Sequence, residues 1–471
     1  MREESHVRYD ILRWKALHPA LMSAAFPVAL QVLVLGAVVL LMLNGFGIGP
    51  GLKADELLTL RKTNLTTLVV WGLWWPGMIA AALILGRAWC TVCPMELINR
   101  GGDAIARKLG WRRLRLGKSL RAGWLMLALY LVLQLLVAGL SIHRVPHYTA
   151  FFLVALVGGA LLAGLFFREP RSFCKSFCPA GALLSVYGRY TPVQLERKEA
   201  AVCEQCPTKN CVRSENRFRF DKRSCPSLLR PFNRKPSDGC VLCLQCAKVC
   251  PYGNMGLGIV SDAAPVRQKQ LLRPYEAGFV MIALGFVSHE TIGEVSWLEN
   301  SFHALPTALN KLLPSVSFGW LEAFWFLLLF PLLVWAVICG LAYLFGYRGN
   351  LRSLLLAAAT GAAPLVAVAH FAKAAAKVAS WGGFLTLAVR DPKGIETLRR
   401  IMDGALTAPA GFFGLSTIGW VILALTMAVG WKAWKWARQV PVESIVAARS
   451  GLAGTAILFS LIMTIWAWPR F

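Results

Sequence analysis

The chain has 471 residues, 56% of them hydrophobic and 18 of them tryptophan, with a mean hydropathy of +0.55. This composition excludes an ordinary soluble globule and indicates an integral membrane protein. Its 50 Lys and Arg outnumber 24 Asp and Glu, for a net charge of +26. No stretch interleaves aromatic and basic residues as a nucleic-acid platform does, so the excess is assigned to loops on the cytoplasmic side of a bilayer.

A bilayer span needs about 20 mostly apolar residues. In chain order such runs occupy 21–44, 65–86, 122–141, 149–167, 319–346, 353–379, 411–430 and 451–469, with a weaker ninth at 277–292 that runs into His289 and Glu290. The first run is longer than the apolar core of a secretory signal and lacks a small-residue cleavage site, so it is read as a retained anchor. Arg and Lys crowd 87–121 and 168–273, whereas the connection "SIHRVPHY" carries one Arg; this places the crowded segments in the cytoplasm. Lys393, Arg399 and Arg400 run against that orientation, because nine spans put their loop outside. His143 and His147, in the outer connection, are read as surface residues.

The expected fold is mainly α, a polytopic transmembrane helix bundle of about nine helices with an inserted cytoplasmic domain. Residues 1–170 form an N-terminal membrane domain of about four helices, 171–270 the inserted domain, and 271–471 a C-terminal membrane domain of about five.

The 13 cysteines fall mostly in CxxC-like clusters, a pattern of metal ligation in a reducing compartment rather than of disulfides. Cys90 and Cys93 lie in "GRAWCTVCPMELINR", Cys174 and Cys178 in "EPRSFCKSFCPAGALLSVYGRY". Each pair follows the second helix of a hairpin and precedes a proline, so the chain repeats one unit of two helices and a thiol pair. The proline breaks any continuing helix and presents the thiols at the membrane surface. Buried packing, a redox-active thiol site and a shared metal site all fit these four. Cys339, within an apolar run, is read as packing.

The insert contains "CVLCLQCAKVCP", in which Cys240, Cys243, Cys246 and Cys250 match the run CxxCxxCxxxCP. In that run the fourth Cys ligates the other cluster of a pair. A second set is therefore expected, and Cys203, Cys206, Cys211 and Cys225 stand upstream. Crossed pairing assigns Cys203, Cys206, Cys211 and Cys250 to one [4Fe-4S] cluster, and Cys240, Cys243, Cys246 and Cys225 to the other. The upstream set departs from the pattern, with four residues instead of two before Cys211 and 13 more before Cys225. Zinc knuckles are the competing reading; the CP termini and the crossed arrangement favour clusters. The insert is short and poor in aliphatic residues, so bound clusters would supply much of its folding energy. The bases in "VRSENRFRFDKR" favour a reduced cluster, and could equally dock an acidic donor or anionic lipid.

Two helix hairpins ending in CxxCP and CxxxCP elements, followed by a two-cluster ferredoxin domain, resemble the membrane-bound polyferredoxins. That family includes NapH-type quinol dehydrogenase subunits, NosR-type proteins of nitrous oxide respiration and the FixG or CcoG oxidase-assembly factors. The resemblance covers roughly 60–270, and the first element has CxxCP where the family usually has CxxxCP. It implies electron transfer at a bacterial inner membrane, commonly between quinol and a partner on the far side. No flavin-attachment sequence is found, since "DGALTAPAG" lacks the Gly-Ala-Thr core.

In "HFAKAAAKVASW", His370, Lys373 and Lys377 share one helical stripe. Ionisable groups at membrane depth are costly and face a bundle interior or a water cavity. With His289 and Glu290 they suggest a quinone or anion pocket in which His370 exchanges protons; Glu290 and Glu322 are candidate counter-charges. Snorkelling with structural ion pairs is the plain alternative. A b-type haem between His289 and His370 is a third, on the weak signal of two histidines.

The function expected is a membrane-bound iron–sulfur electron-transfer protein, a quinol-dehydrogenase-type oxidoreductase component, working between the quinone pool or a cytosolic donor and a membrane or periplasmic partner. Its partners are then the bilayer, a redox protein on either side and a quinone, without nucleic acid. A copper-handling assembly factor acting through Cys90, Cys93, Cys174 and Cys178 is the first alternative, and a redox-coupled transporter using the extra helices and intramembrane lysines the second.

Overall fold

Helix occupies most of each of the nine apolar runs in the computed structural model, which describes residues 7–233, 239–260 and 270–468, although 23–27 and 411–414 are turn or coil. Residues 1–6 and residue 469, the end of the last expected run, lie outside the described residues. Seven helical stretches are long and apolar enough to cross a membrane: Val28–Gly45, Leu65–Lys108, Pro146–Phe166, Phe318–Leu344, Leu351–Arg390, Leu415–Trp436 and Val442–Ala467. Trp124–Gly139 is apolar but has 16 residues, about 24 Å of helix against a hydrocarbon core of about 30 Å. Pro274–Ile292 has 19 residues and is interrupted by Glu276, His289 and Glu290. Helix makes up 69% of the residues, so the protein is a mainly-α polytopic bundle.

The Leu65–Lys108 stretch is not one straight rod. Asn64 caps it by accepting from Thr66 N and Thr67 N at 2.9 and 3.3 Å. A π-helical segment, Leu68–Trp74, follows. Gly86 then takes a left-handed backbone, φ +61°, open to glycine at little cost. Cys93 is extended, and Pro94 at the first position restarts the chain as the amphipathic helix Pro94–Lys108. The expected helix break after the first thiol pair is therefore present.

The chain divides into two compact units, one of residues 1–37, 81–122 and 156–270, the other of 38–80, 123–155 and 271–471. The first carries 12 of the cysteines. Its small antiparallel sheet has the order β1 (Val7–Asp10), β3 (Met255–Val260), β2 (Val193–Arg197). β2 and β3 run in register from Val193 opposite Ile259 to Arg197 opposite Met255. Leu12, Leu195, Leu244, Ala247, Met255 and Leu257 form the apolar core beside the sheet. Lys248, its side chain wholly buried, donates to Ser23 O and Phe26 O at 2.6 Å each and pairs with Asp221 Oδ1 at 3.0 Å. One buried ammonium thus joins three stretches of chain and has an acceptor for each of its protons.

The second unit centres on Leu351–Trp381, whose Ala- and Gly-rich sequence suits close packing. Against Ile445–Ala467 the backbones meet at Gly361 and Gly451, where a Cβ would collide with the carbonyls of Ala448 and Ala358. His143 and His147, expected at the surface, are half-buried. His143 packs edge-on to Trp71 at 6.5 Å, and His147 lies between Phe46 and Phe151 and accepts from Gly47 N at 2.9 Å. Trp71 and Phe46, brought in from other helices, help to cover them, which the local sequence of the connection does not reveal.

Candidate metal centre

Within the first unit the eight thiols of the insert sort into two recesses. One is lined by Cys225, Cys240, Cys243 and Cys246 with Leu195, Val241 and Met255. The other is lined by Cys203, Cys206, Cys211 and Cys250 with Phe232 and Asn254, and it shares Cys246 and Met255 with the first. Each recess takes three thiols from one local loop and a fourth from the other loop. The crossing follows from the fold: Cys211 O accepts from Cys225 N at 2.9 Å, while the short helix Gln245–Val249 carries the chain from Cys246 to Cys250.

The loop around Cys240, Cys243 and Cys246 is wound through Leu242 and Leu244 at φ +56° and +58°, left-handed positions seldom held by a branched residue. Such conformations cost on the order of 1–3 kcal/mol each and persist where the surroundings over-determine them, commonly at functional sites. Burial pushes the thiols of Cys243 and Cys211 up to about 12 and about 11, with neighbouring thiols adding to the effect. Cys246 is also raised well above the ordinary thiol range, by burial first and by the neighbouring thiols of Cys240 and Cys243 next. Cys206 is lowered: its small desolvation is outweighed by hydrogen bonds from Thr208 and from the backbone of Lys209. Asn254 Nδ2 donates to Cys203 Sγ at 3.2 Å. Donors of this kind stabilise a thiolate and tune any metal bound to it.

The four remaining thiols of this unit also converge. Cys90 and Cys174 are buried, and Cys93 and Cys178 pack with Cys174 around Met95 and Phe173. Burial pushes Cys178 up to about 12, and Cys174 and Cys90 are close enough to raise it further. Asn99 fixes the two repeats to each other, donating to Ala160 O at 3.1 Å and Ser172 Oγ at 3.0 Å. Gly164 lets that crossing close, since a Cβ there would strike the Asn99 carbonyl.

This thiol group adjoins the recess of Cys240 and Cys243. Thr91 Oγ1 hydrogen-bonds Val241 O, and Arg223 Nη2 meets Glu96 Oε1 at 3.1 Å with both side chains nearly sealed from solvent. Arg171 is 6% exposed and interacts electrostatically with Cys90, Cys174 and Cys243. The sequence reading missed Arg171, Glu96 and Arg223. They sit among many other bases and acids, and only their partners across the fold distinguish them.

In the second unit Lys373 Nζ lies 2.6 Å from Glu294 Oε1 and 3.5 Å from Glu290 Oε2, and Lys377 Nζ lies 4.0 Å from Glu290. Glu290 is thus a counter-charge of the lysine stripe, whereas Glu322 pairs with His303 and His289. His370 is buried edge-on to Phe286 at 5.2 Å, and His289 lies flat on Phe326 at 4.3 Å. The two rings named for a haem have different neighbours.

Residues 67–112 and 149–195 match the family described as 4Fe-4S binding domain. Two copies of that domain fit a polyferredoxin-like iron–sulfur protein and support an electron-transfer role. The matched stretches hold Cys90, Cys93, Cys174 and Cys178, the four thiols whose sequence reading was open, and stop short of the insert's eight. An uncharacterized protein of Methanocaldococcus jannaschii is 27% identical over 180 residues, which are 37% of this chain and 65% of that protein. No solved structure matches the chain.

Proposed function

We propose that the first unit is an electron relay with three four-iron stations. Two are the recesses of the insert, with Cys203, Cys206, Cys211 and Cys250 holding one cluster and Cys225, Cys240, Cys243 and Cys246 the other; the third is formed by Cys90, Cys93, Cys174 and Cys178. Bound there, four-iron clusters supply one-electron transfer at potentials set by charge, hydrogen bonding and exposure. The observation that carries the reading is the sorting of eight thiols into two recesses that share Cys246 and Met255.

The chain's own residues hold the stations in order. Cys246 and Met255 form the wall between the first two. Arg171, beside Cys90, Cys174 and Cys243, is a fixed positive charge between the second and third and favours an added electron on either side. Thr91, Glu96 and Arg223 fasten the loops that carry those thiols. The third station lies on the helix hairpins, which gives the relay its exchange point with a membrane partner, a quinone or a redox protein of the bilayer. The Arg and Lys of the loops support a cytoplasmic insert, and the resemblance to the membrane-bound polyferredoxins supports a bacterial inner membrane.

The test is iron and acid-labile sulfide per anaerobically purified full-length chain, with low-temperature EPR after reduction. Three cubanes give about twelve of each. Cys174→Ser and Cys225→Ser variants are each expected to lose about four irons. Zinc without iron in the wild-type protein overturns the proposal.

A further inference from the structure

A second kind of metal site lies in the other unit, contains no thiol and does not rest on the relay. His289 lies in the last turn of the helix Pro274–Ile292, His303 stands between the short helices Ser296–Phe302 and Ala304–Leu312, and Glu322 lies on Phe318–Phe324. Their ligand atoms all fall within 4.8 Å of one another. Both imidazoles address one oxygen: His303 Nε2 is 3.0 Å and His289 Nε2 is 3.7 Å from Glu322 Oε1. A four-coordinate first-row ion with bonds of about 2.0–2.1 Å separates its ligands by roughly 3.3–3.4 Å. The two distances bracket that value.

The rings are pinned before any ion arrives. His289 is parallel to Phe326 within 4° at 4.3 Å, and His303 meets Phe318 edge-on at 5.7 Å. Phe326 belongs to the π-helical segment Trp325–Leu329, which starts three residues after Glu322. Such local widenings of a helix recur at functional sites. A buried nitrogen is also left over, since His289 Nδ1 has no hydrogen-bond partner.

A hydrogen-bonded triad is the competing arrangement, since each neutral imidazole can donate its Nε2 proton to the carboxylate. A cation between the three is instead bound by all of them at once, and the near-ligand spacing and the pinned rings favour it. The nearby Glu290 and Glu294 are engaged by Lys373, which leaves Glu322 as the carboxylate for the ion. We infer that His289, His303 and Glu322 bind a divalent first-row transition-metal ion. Two imidazoles and one carboxylate suit zinc or ferrous iron and leave a position open for water or a substrate.

The probe is zinc, measured by equilibrium dialysis with radioactive zinc on the full-length, cluster-loaded protein in detergent. Wild type is compared with Glu322→Gln, His303→Ala and Glu322→Asp, and with Glu299→Gln as a nearby control. Zinc taken up by thiols is common to all five proteins and cancels. Removing a ligand is expected to abolish one zinc equivalent per chain or weaken it by at least about 100-fold, at unchanged iron content, while Glu322→Asp and Glu299→Gln retain it. A parallel anaerobic dialysis with ferrous iron follows the same pattern if the site holds iron. Equal zinc and ferrous binding by wild type and Glu322→Gln, at matching iron and sulfide content, overturns the inference, as does loss of the equivalent in the Glu299→Gln control.

Discussion

Replacing Arg223 by Met should loosen the joint between the insert's thiol loops and the helix that begins at Pro94. Arg223 Nη2 and Glu96 Oε1 are 3.1 Å apart, with side chains 6% and 4% exposed. Gln31 Nε2 donates to Glu96 Oε2 at 2.9 Å, and Arg223 N donates to Gln245 Oε1 at 3.1 Å. At that separation the attraction is about 5 kcal/mol for an effective dielectric near 20, most of it offset by desolvation of both charges. Removing one partner is a different matter, because the other stays buried without compensation, at a cost of about 3–5 kcal/mol. A unit of this size moves its melting point by about 2–4 °C per kcal/mol, so the shift should be roughly 6–20 °C downward. The assay is loss of thiolate–iron absorbance during anaerobic heating at one fixed scan rate. The double variant Glu96→Leu/Arg223→Met should recover most of the loss, since apolar groups of similar size replace a buried pair at little net cost. A single variant within about 2 °C of wild type, or a double variant no better than the single, refutes the reasoning.

Lys248→Met leaves the carbonyls of Ser23 and Phe26 and the Asp221 carboxylate without their donor; proteolysis between residues 14 and 27 should accelerate relative to wild type. Asn254→Ala removes the hydrogen bond to Cys203 Sγ. If that bond favours the reduced state by about 1.4 kcal/mol, one midpoint potential in an EPR-monitored titration falls by about 60 mV and the others hold. Gly361→Leu should separate the backbones of Leu351–Trp381 and Ile445–Ala467 and cost at least about 1–3 kcal/mol, read as a lower melting point of the second unit with iron content preserved. Iron-free protein should lose stability as pH rises. Thiols such as Cys243 and Cys178 are raised to about 12 in the fold, whereas an unfolded thiol ionises near 8.5. Their contribution is complete below about 8.5 and declines from there toward 12. Loaded protein, which holds thiolates throughout, should lack that slope in denaturant melts.

Seven of the nine expected spans match helices long and apolar enough to cross a membrane, and they could be read from the sequence because long apolar runs leave the backbone no other way to satisfy its hydrogen bonds in a bilayer. The insert's cysteine motif is legible in the sequence, since a CxxCxxC loop reaches only three corners and needs a fourth thiol from elsewhere. Two kinds of feature were not. β1 reads as a charged amino-terminal stretch, and its pairing with β3 is set by residues far down the chain. His303 has no ligand motif around it, being brought to His289 and Glu322 by two short helices whose packing no local period encodes. Glu322 was noticed as a charge, but the lysines it was matched with belong to Glu290 and Glu294. Charge alone does not say which partner lies within reach.

The pairing of Tyr9 with Ile259 has a cost during synthesis. At about 5–20 residues per second, roughly 12–50 s pass on the ribosome between the two. Throughout that interval the first strand has an open edge and no mate, while the apolar helices between them are handed to the translocon. A bulky fusion ahead of Val7 would compete for the edge of β3 that this strand fills last.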